Sequence, residues 1–172
     1  MTSKKFALIL CLLMVFSGFG QEKDFTSKLY STYEKYKEPS LDKRRIKHNE
    51  IQPLINKLST NPKFNVTVVG KSIEGRNLSL ISIGTGATDV FLWSQMHGDE
   101  PTATQAIFDI FNFLSSGDFK TEKENILKNL KLHFLPMLNP DGAEVYQRRN
   151  TLGIDINRDA LALQSPEGRT LK

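Results

Sequence analysis

The chain has 172 residues, with 23 Lys and Arg against 19 Asp and Glu and a formal charge of +4. That length suits one domain with a real core rather than two, and the composition is that of an ordinary globular protein. Setting aside Lys4 and Lys5 leaves a charge of only +2, and no basic stripe interleaved with aromatics follows, which excludes a nucleic-acid groove as the main feature.

Residues 1–20 stand apart. Lys4 and Lys5 precede the apolar run FALILCLLMVF, and SGFG places the small residues Gly18 and Gly20 ahead of Gln21. This is the order and length of a secretory signal peptide, and the apolar run is too short to span a bilayer. The segment predicts export to a periplasmic or extracellular space with no stable membrane anchor. The only cysteine, Cys11, falls inside it, and Leu10 before it does not suit a lipid-attachment site. The mature chain would therefore rely on core burial or a metal rather than on disulfides.

Residues 21–62 read as a polar helical segment, broken near Glu38-Pro39 and closed by Asn61-Pro62. Lys43, Arg44, Arg45 and Lys47 are expected on the solvated face of a helix whose apolar side is Ile46, Ile51, Leu54, Ile55 and Leu58. From residue 63 to residue 172 the period changes. NVTVVGKSI and NLSLISIG alternate around EGR and predict a hairpin. DVFLWSQ reads as a strand buried on both faces. A helix is expected from about Thr102 to Leu114, then a loop at Ser115 to Asp118, a second helix near Glu122 to Leu130, and a buried strand in KLHFLPML. Strands alternating with helices predict an α/β fold: a mixed, mostly parallel sheet with helices on both faces.

This layout puts MHGDEPT, with His97 and Glu100, at the carboxyl end of a central strand and on the first turn of the next helix, the edge where open α/β sheets bind ligands. Imidazole and carboxylate in this spacing can meet at one zinc. They can equally be a loop histidine and a carboxylate at a helix N-terminus. A second cluster follows NPDG: Arg148, Arg149, Asp155, Asn157 and Arg158 crowd one loop-rich span. Arginine forks bind carboxylates bidentately, so the span describes a site that grips a free carboxylate near a metal.

EGR, HGDE, NPDG, RRN and the D-I-N-R of IDINRD stand in the order in which they occur in the zinc metallocarboxypeptidases that include carboxypeptidases A and B. The sequence resembles that family from about Val66 to its last residues, where SPEGR is similar to a segment of bacterial members. The resemblance implies that His97 and Glu100 bind one Zn2+ ion and that Arg148 polarises the scissile carbonyl, with Arg149 as the alternative. It further implies that Asn157 and Arg158 hold the terminal carboxylate of a peptide substrate and that Asp155 receives the ligand histidine's other N–H. The family's third ligand, its glutamate base and its substrate-capping tyrosine would lie beyond Lys172. Residues 63–172 thus read as the N-terminal half of a catalytic domain, incomplete and inactive by itself. Neither His48 nor His133 suits the missing ligand: the first lies in the polar helical segment and the second within a strand. Asp99 stands where digestive members carry a substrate-holding arginine, so that subsite must differ. Two other readings remain open, a zinc-dependent N-acyl amino acid deacylase and a non-catalytic peptide-binding remnant.

Overall fold

The structure, a computed structural model, describes residues 24–172, and the expected signal peptide lies outside them. The described residues divide after Tyr36 into two units, the second of them Lys37–Lys172. In the first, helix α1 covers residues 24–32 and a 3-10 turn follows at Tyr33–Tyr36. The expected boundary near residue 62 is not where these two units part. The reason is packing: Leu41, Ile46 and the apolar face of helix α2 (His48–Ser59) belong to the core of the second unit.

The entry to α2 also corrects an expectation. Residues 42–47 are not helical, because Lys47 is extended at the N-cap, where its N–H is bonded by the Glu50 carboxylate at 2.7 Å. The basic cluster therefore lies along an irregular segment, with Arg45 stacked 4.6 Å from the centre of the Tyr146 ring. Ile46 alone turns inward, 1% exposed.

Four strands build the sheet: β1 (Asn65–Lys71), β2 (Asn77–Ile83), β3 (Thr88–Trp93) and β4 (Leu130–Leu135), in spatial order β1-β2-β4-β3. The hairpin is present, with a bulge between Val68 and Gly70, and Gly75 at φ 81° makes its turn. The sheet is mixed, as expected, but its balance differs. Pairings β1/β2 and β2/β4 are antiparallel and only β3/β4 is parallel, with helices α3 (Thr102–Ser115) and α4 (Lys120–Asn129) in the crossover. A parallel pair needs such a long connection, which the sequence supplies only once among the described residues.

Period-two alternation sorts the strand residues between two clusters. Ile81, Ile83, Leu132 and Phe134 join Ile51, Ile55 and Leu58 of α2 and Ile107, Phe108, Phe111 and Leu114 of α3. Leu78, Leu80 and Leu135 face the other way, with Leu138, Ile156 and Leu171. In β3, Leu92 goes to the larger cluster, while Phe91 and Trp93 stack at 5.4 Å on the opposite face, 40% and 46% exposed. That strand is thus not buried on both faces, and it forms an edge of the described sheet rather than its centre.

Phe111 is the hub of the larger cluster. It is 1% exposed and meets the rings of Phe64, Phe108 and Phe134 edge-on at 5.7, 5.5 and 5.0 Å. The Phe111→Ala substitution is expected to cost about 3–5 kcal/mol, as buried Phe-to-Ala changes do. Urea unfolding at unchanged m-value measures this; a loss within experimental error would remove Phe111 from the role of hub.

Candidate active site

At the end of β3 the chain must leave the sheet. Ser94 still pairs with the neighbouring chain, its N–H on Leu135 O and its carbonyl accepting from Leu138 N, both at 3.0 Å. Gln95 then turns into the left-handed region at φ 48°, uncommon for a residue with a side chain. Its buried amide holds it there: Nε2 donates to Gly98 O at 3.0 Å and to Ile46 O at 3.3 Å, and Oε1 accepts from the Thr104 hydroxyl at 2.8 Å. The next turn closes with Glu100 N on His97 O at 3.1 Å. Glu100 thus precedes α3 rather than lying on its first turn, because Pro101 is the N-cap. No side chain caps this helix, so the capping role open to Glu100 is not used.

Instead, Glu100 Oε2 lies 3.0 Å from His97 Nδ1. His97 is 8% exposed, and its Nε2 lies 3.2 Å from Asp155 Oδ1. Arg148 closes the ring: Nε donates to Asp155 Oδ2 at 3.0 Å, and Nη1 lies 3.2 Å from His97 Nδ1 and 3.5 Å from Glu100 Oε1. Burial pushes the Asp155 carboxyl up, but the bonds from Arg148 and His97 and the guanidinium charge outweigh it and hold the group below the usual carboxylate range. An ionised Asp155 only accepts, so it assigns the ring hydrogen to Nε2 and leaves a lone pair on Nδ1. That lone pair and the Glu100 carboxylate are then two acceptors 3.0 Å apart. Here the Arg148 guanidinium, beside both, supplies the positive charge that makes the arrangement favourable, and nitrogen with carboxylate oxygen is also a donor set that suits zinc. The residues therefore fit a metal, though no group of three His, Cys, Asp or Glu converges among the described residues.

The other sequence-predicted residues divide. Asn157 lines a cavity of about 460 Å³ together with Trp93, His97, Glu100 and Thr102. Arg158 bonds its own neighbour, Nη1 to Asn157 O at 3.3 Å. Arg149 turns away to Gly153 O at 2.8 Å, so Arg148 and not Arg149 is brought to His97. Asp155 reaches the histidine from the end of its loop rather than from an extended strand. It caps a 3-10 turn, Ile156–Arg158, accepting from Asn157 N at 3.1 Å. His48 bonds Asn77 O at 3.0 Å. His133 lies between Ser82 Oγ at 2.7 Å and Asp89 Oδ1 at 2.8 Å. The contacts of both are made outside the site.

The remaining motifs form a scaffold that was not assigned from the sequence. Asn139 of NPDG, fully buried, caps helix α5 (Pro140–Val145) by accepting from Gly142 N at 2.9 Å, and donates Nδ2 to Arg148 O at 3.1 Å. Asparagine followed by proline is a helix-start signal that could have shown the cap. Asp141, 2% exposed, accepts from Ser72 Oγ at 2.7 Å, Glu74 N at 3.0 Å and Arg76 Nη1 at 2.6 Å, which fastens the EGR turn to NPDG. The two glycines of HGDE and NPDG meet face to face: a Cβ on Gly98 would lie 2.1 Å from Gly142 C. In SPEGR, Ser165 donates its hydroxyl to Asp159 at 2.6 Å and accepts from Gly168 N at 2.9 Å, starting helix α6 (Pro166–Thr170).

Functional side chains at the carboxyl edge of a parallel strand pair define an α/β protein of the ligand-binding kind. The chain belongs to the zinc carboxypeptidase family, peptidase M14, whose profile matches residues 51–167. Carboxypeptidase E of Caenorhabditis elegans is 31% identical over 118 residues, 56% of this chain and 25% of that protein. Carboxypeptidase SOL1 of Arabidopsis thaliana is 31% identical over 99 residues, 53% of this chain and 20% of that protein. A solved metallo-carboxypeptidase of Pseudomonas aeruginosa, in complex with (2-guanidinoethylmercapto)succinic acid, superimposes with a TM-score of 0.68 at 25% identity, covering 74% of this chain and 36% of that one. The fold is also that of a Burkholderia cenocepacia metallo-carboxypeptidase, TM-score 0.67 at 23% identity, covering 74% and 37%. The chain spans a fifth to a quarter of the length of the two sequence relatives.

Two outcomes follow from the scaffold. Gly98→Ala forces the HGDE turn off α5 and is expected to cost about 1–3 kcal/mol or more, as overpacking does; an unchanged melting temperature would contradict the close approach. Asp159 provides the acid test. Burial raises its carboxyl, while Ser165 and the N–H groups of Gln164 and Ser165 lower it further, leaving it below its ordinary 3.8. Its contribution is therefore present above that value and lost as pH falls through the folded pKa. Asp159→Asn should flatten the decline of stability between about pH 5 and pH 3. An unchanged acid limb would show that Asp159 is not the group responsible.

Proposed function

We propose that this chain carries part of the active site of an exported zinc carboxypeptidase that removes C-terminal residues from peptides. The observation that carries the reading is the convergence of His97 Nδ1 and Glu100 Oε2, 3.0 Å apart, with Asp155 behind the ring and the Arg148 guanidinium beside both. His97 and Glu100 would hold one Zn2+ ion, which when bound supplies Lewis acidity and a water of lowered pKa. Asp155 keeps the imidazole in one tautomer and orientation and raises its basicity. Arg148 presents its guanidinium beside both ligands, where it can donate to the oxygen of a scissile carbonyl as negative charge develops. Asn157, on the lining of the adjoining cavity, and Arg158 after it would bind the substrate's free carboxylate, for which an arginine fork is suited. By resemblance, the third ligand and the general base belong to the part of the domain that the relatives carry beyond the matched region. The N-terminal segment is read as the export signal; among the described residues no helix is long and apolar enough to cross a membrane.

The full-length protein, supplied with zinc and a mixed peptide pool, should release C-terminal amino acids in a chelator-sensitive manner. Asp155→Ala should weaken zinc affinity by about 10- to 100-fold. Arg148→Ala should lower kcat by about 10²- to 10³-fold, the usual cost of one oxyanion donor. Zinc binding unaffected by His97→Ala, with no chelator-sensitive release, would sink the reading.

A further inference from the structure

Glu167 is the one carboxylate in the described chain that is wholly buried, 0% exposed, yet makes no ion pair among the described residues. Its location is informative. Oε2 accepts from the side-chain amide of Asn150 at 3.2 Å, a contact between two buried groups 17 residues apart. Burying a carboxyl is costly unless it is bonded, so this pairing should do something that an apolar contact at the start of α6 would not.

Asn150 shows what that is. It is 5% exposed and uses every polar group it has. Its Oδ1 accepts from Leu152 N at 3.1 Å and Ile154 N at 3.0 Å. Its backbone N–H donates to Ile154 O at 3.1 Å, and its carbonyl accepts from Gly153 N at 2.9 Å. Together these bonds close the turn between Arg148 and Asp155, with Gly153 in the left-handed region at φ 74°. The remaining donor group of Asn150, Nδ2, gives one hydrogen to Glu167. Two backbone N–H groups already orient this amide through Oδ1, and the Nδ2 bond to Glu167 is the one that ties the turn to the start of α6.

Both ends of this turn are site residues. Arg148 lies two positions before Asn150 and Asp155 five after it, and their side chains join at 3.0 Å beside His97. We propose that Glu167 is a positioning residue for Arg148: through Asn150 it fixes the turn that sets Arg148 and Asp155 at the spacing needed to flank His97. Catalytic meaning for this contact rests on the reading of Arg148 as the carbonyl-polarising group. SPEGR then acts on the site from behind, through one buried hydrogen bond, without touching substrate.

The test uses the full-length, zinc-loaded protein with Glu167→Ala, Glu167→Gln and a control, Leu114→Ala, which empties a buried position of α3 in the larger cluster, outside the turn. Glutamine keeps an acceptor for Asn150 and alanine does not. Two readouts are combined: amide hydrogen exchange at Leu152 and Ile154 together with the Arg148 Nε–H resonance, and kcat and KM for C-terminal residue release. Glu167→Ala should open the turn about tenfold more often, the scale expected for one unmet buried hydrogen bond. It should also broaden or shift the Arg148 resonance and lower kcat about tenfold with KM nearly unchanged, as misplacing a catalytic group does. Glu167→Gln should restore both to within about twofold of the unsubstituted protein, and Leu114→Ala should move neither, since it lies outside this hydrogen-bonded unit. Exchange at 152–154 that rises equally in Leu114→Ala, or a Glu167→Ala protein with an unchanged Arg148 resonance, overturns the proposal. A full-length protein lacking chelator-sensitive release would overturn the functional reading alone, and the positioning role would still be decided by the exchange and the resonance.

Discussion

The site rests on Asp141, a carboxylate that lies almost entirely out of water and is matched by donors from a different part of the chain. Ser72, the amide of Glu74 and the guanidinium of Arg76 all converge on it, so the β1–β2 turn and the start of α5 are fixed to each other. A buried charge is tolerable only when paired and bonded, and removing one partner would leave the rest exposed to the full desolvation cost. Everything near His97 is referenced to this joint. α5 carries Asn139, which holds the carbonyl of Arg148, and Gly142, against which the backbone of Gly98 is seated.

The consequence is a division of labour between motifs. On the proposed function, HGDE, Arg148 and Asp155 form the chemical face, whereas EGR, most of NPDG and SPEGR form its support. Glu74 illustrates the second role: besides pairing with Arg76, it accepts from the Thr151 hydroxyl at 2.9 Å and so steadies the same loop that carries the arginine. A histidine proposed as a metal ligand needs such support, because its donor direction is set by what the other ring nitrogen touches. Asp155 meets that need only because the loop bearing it is held on several sides.

Strand and helix placement was largely legible from the sequence, since period-two and period-3.6 patterns are strong for NLSLISI and for ATQAIFDIFNFL. The packing of α2 was not, because a polar helix that lends one apolar face to a core looks like a separate segment until its partners are known. Of the candidate site, the meeting of His97, Glu100, Arg148 and Asp155 could be anticipated from motif order. The resemblance put Arg148 ahead of Arg149, but the physical cause could not be read: Arg149 is captured by Gly153 O, a backbone contact with no sequence signature. The strand DVFLWSQ misled for a related reason. An unbroken apolar run does not say how much of each face is covered, and Phe91 and Trp93 lie on a face that stays partly open. Gln95 is a further case: nothing in its identity marks a left-handed residue, and the amide that stabilises it does so only once Gly98 and Thr104 are in place.

The parallel pairing of β3 with β4 has a kinetic side. The β1–β2 hairpin brings together residues near in sequence, but β3 meets β4 only after a connection of two helices and their loops has been drawn in. Closing such a loop costs entropy before any strand contact repays it, so this ladder belongs among the slow, late events of folding. HGDE hangs from the end of β3, and Gln95 reaches its left-handed state beside the chain that leaves β4. His97 therefore acquires its final orientation near the end of the folding path, and on the proposed zinc reading folding intermediates would be blind to metal even when most of their helices are already formed.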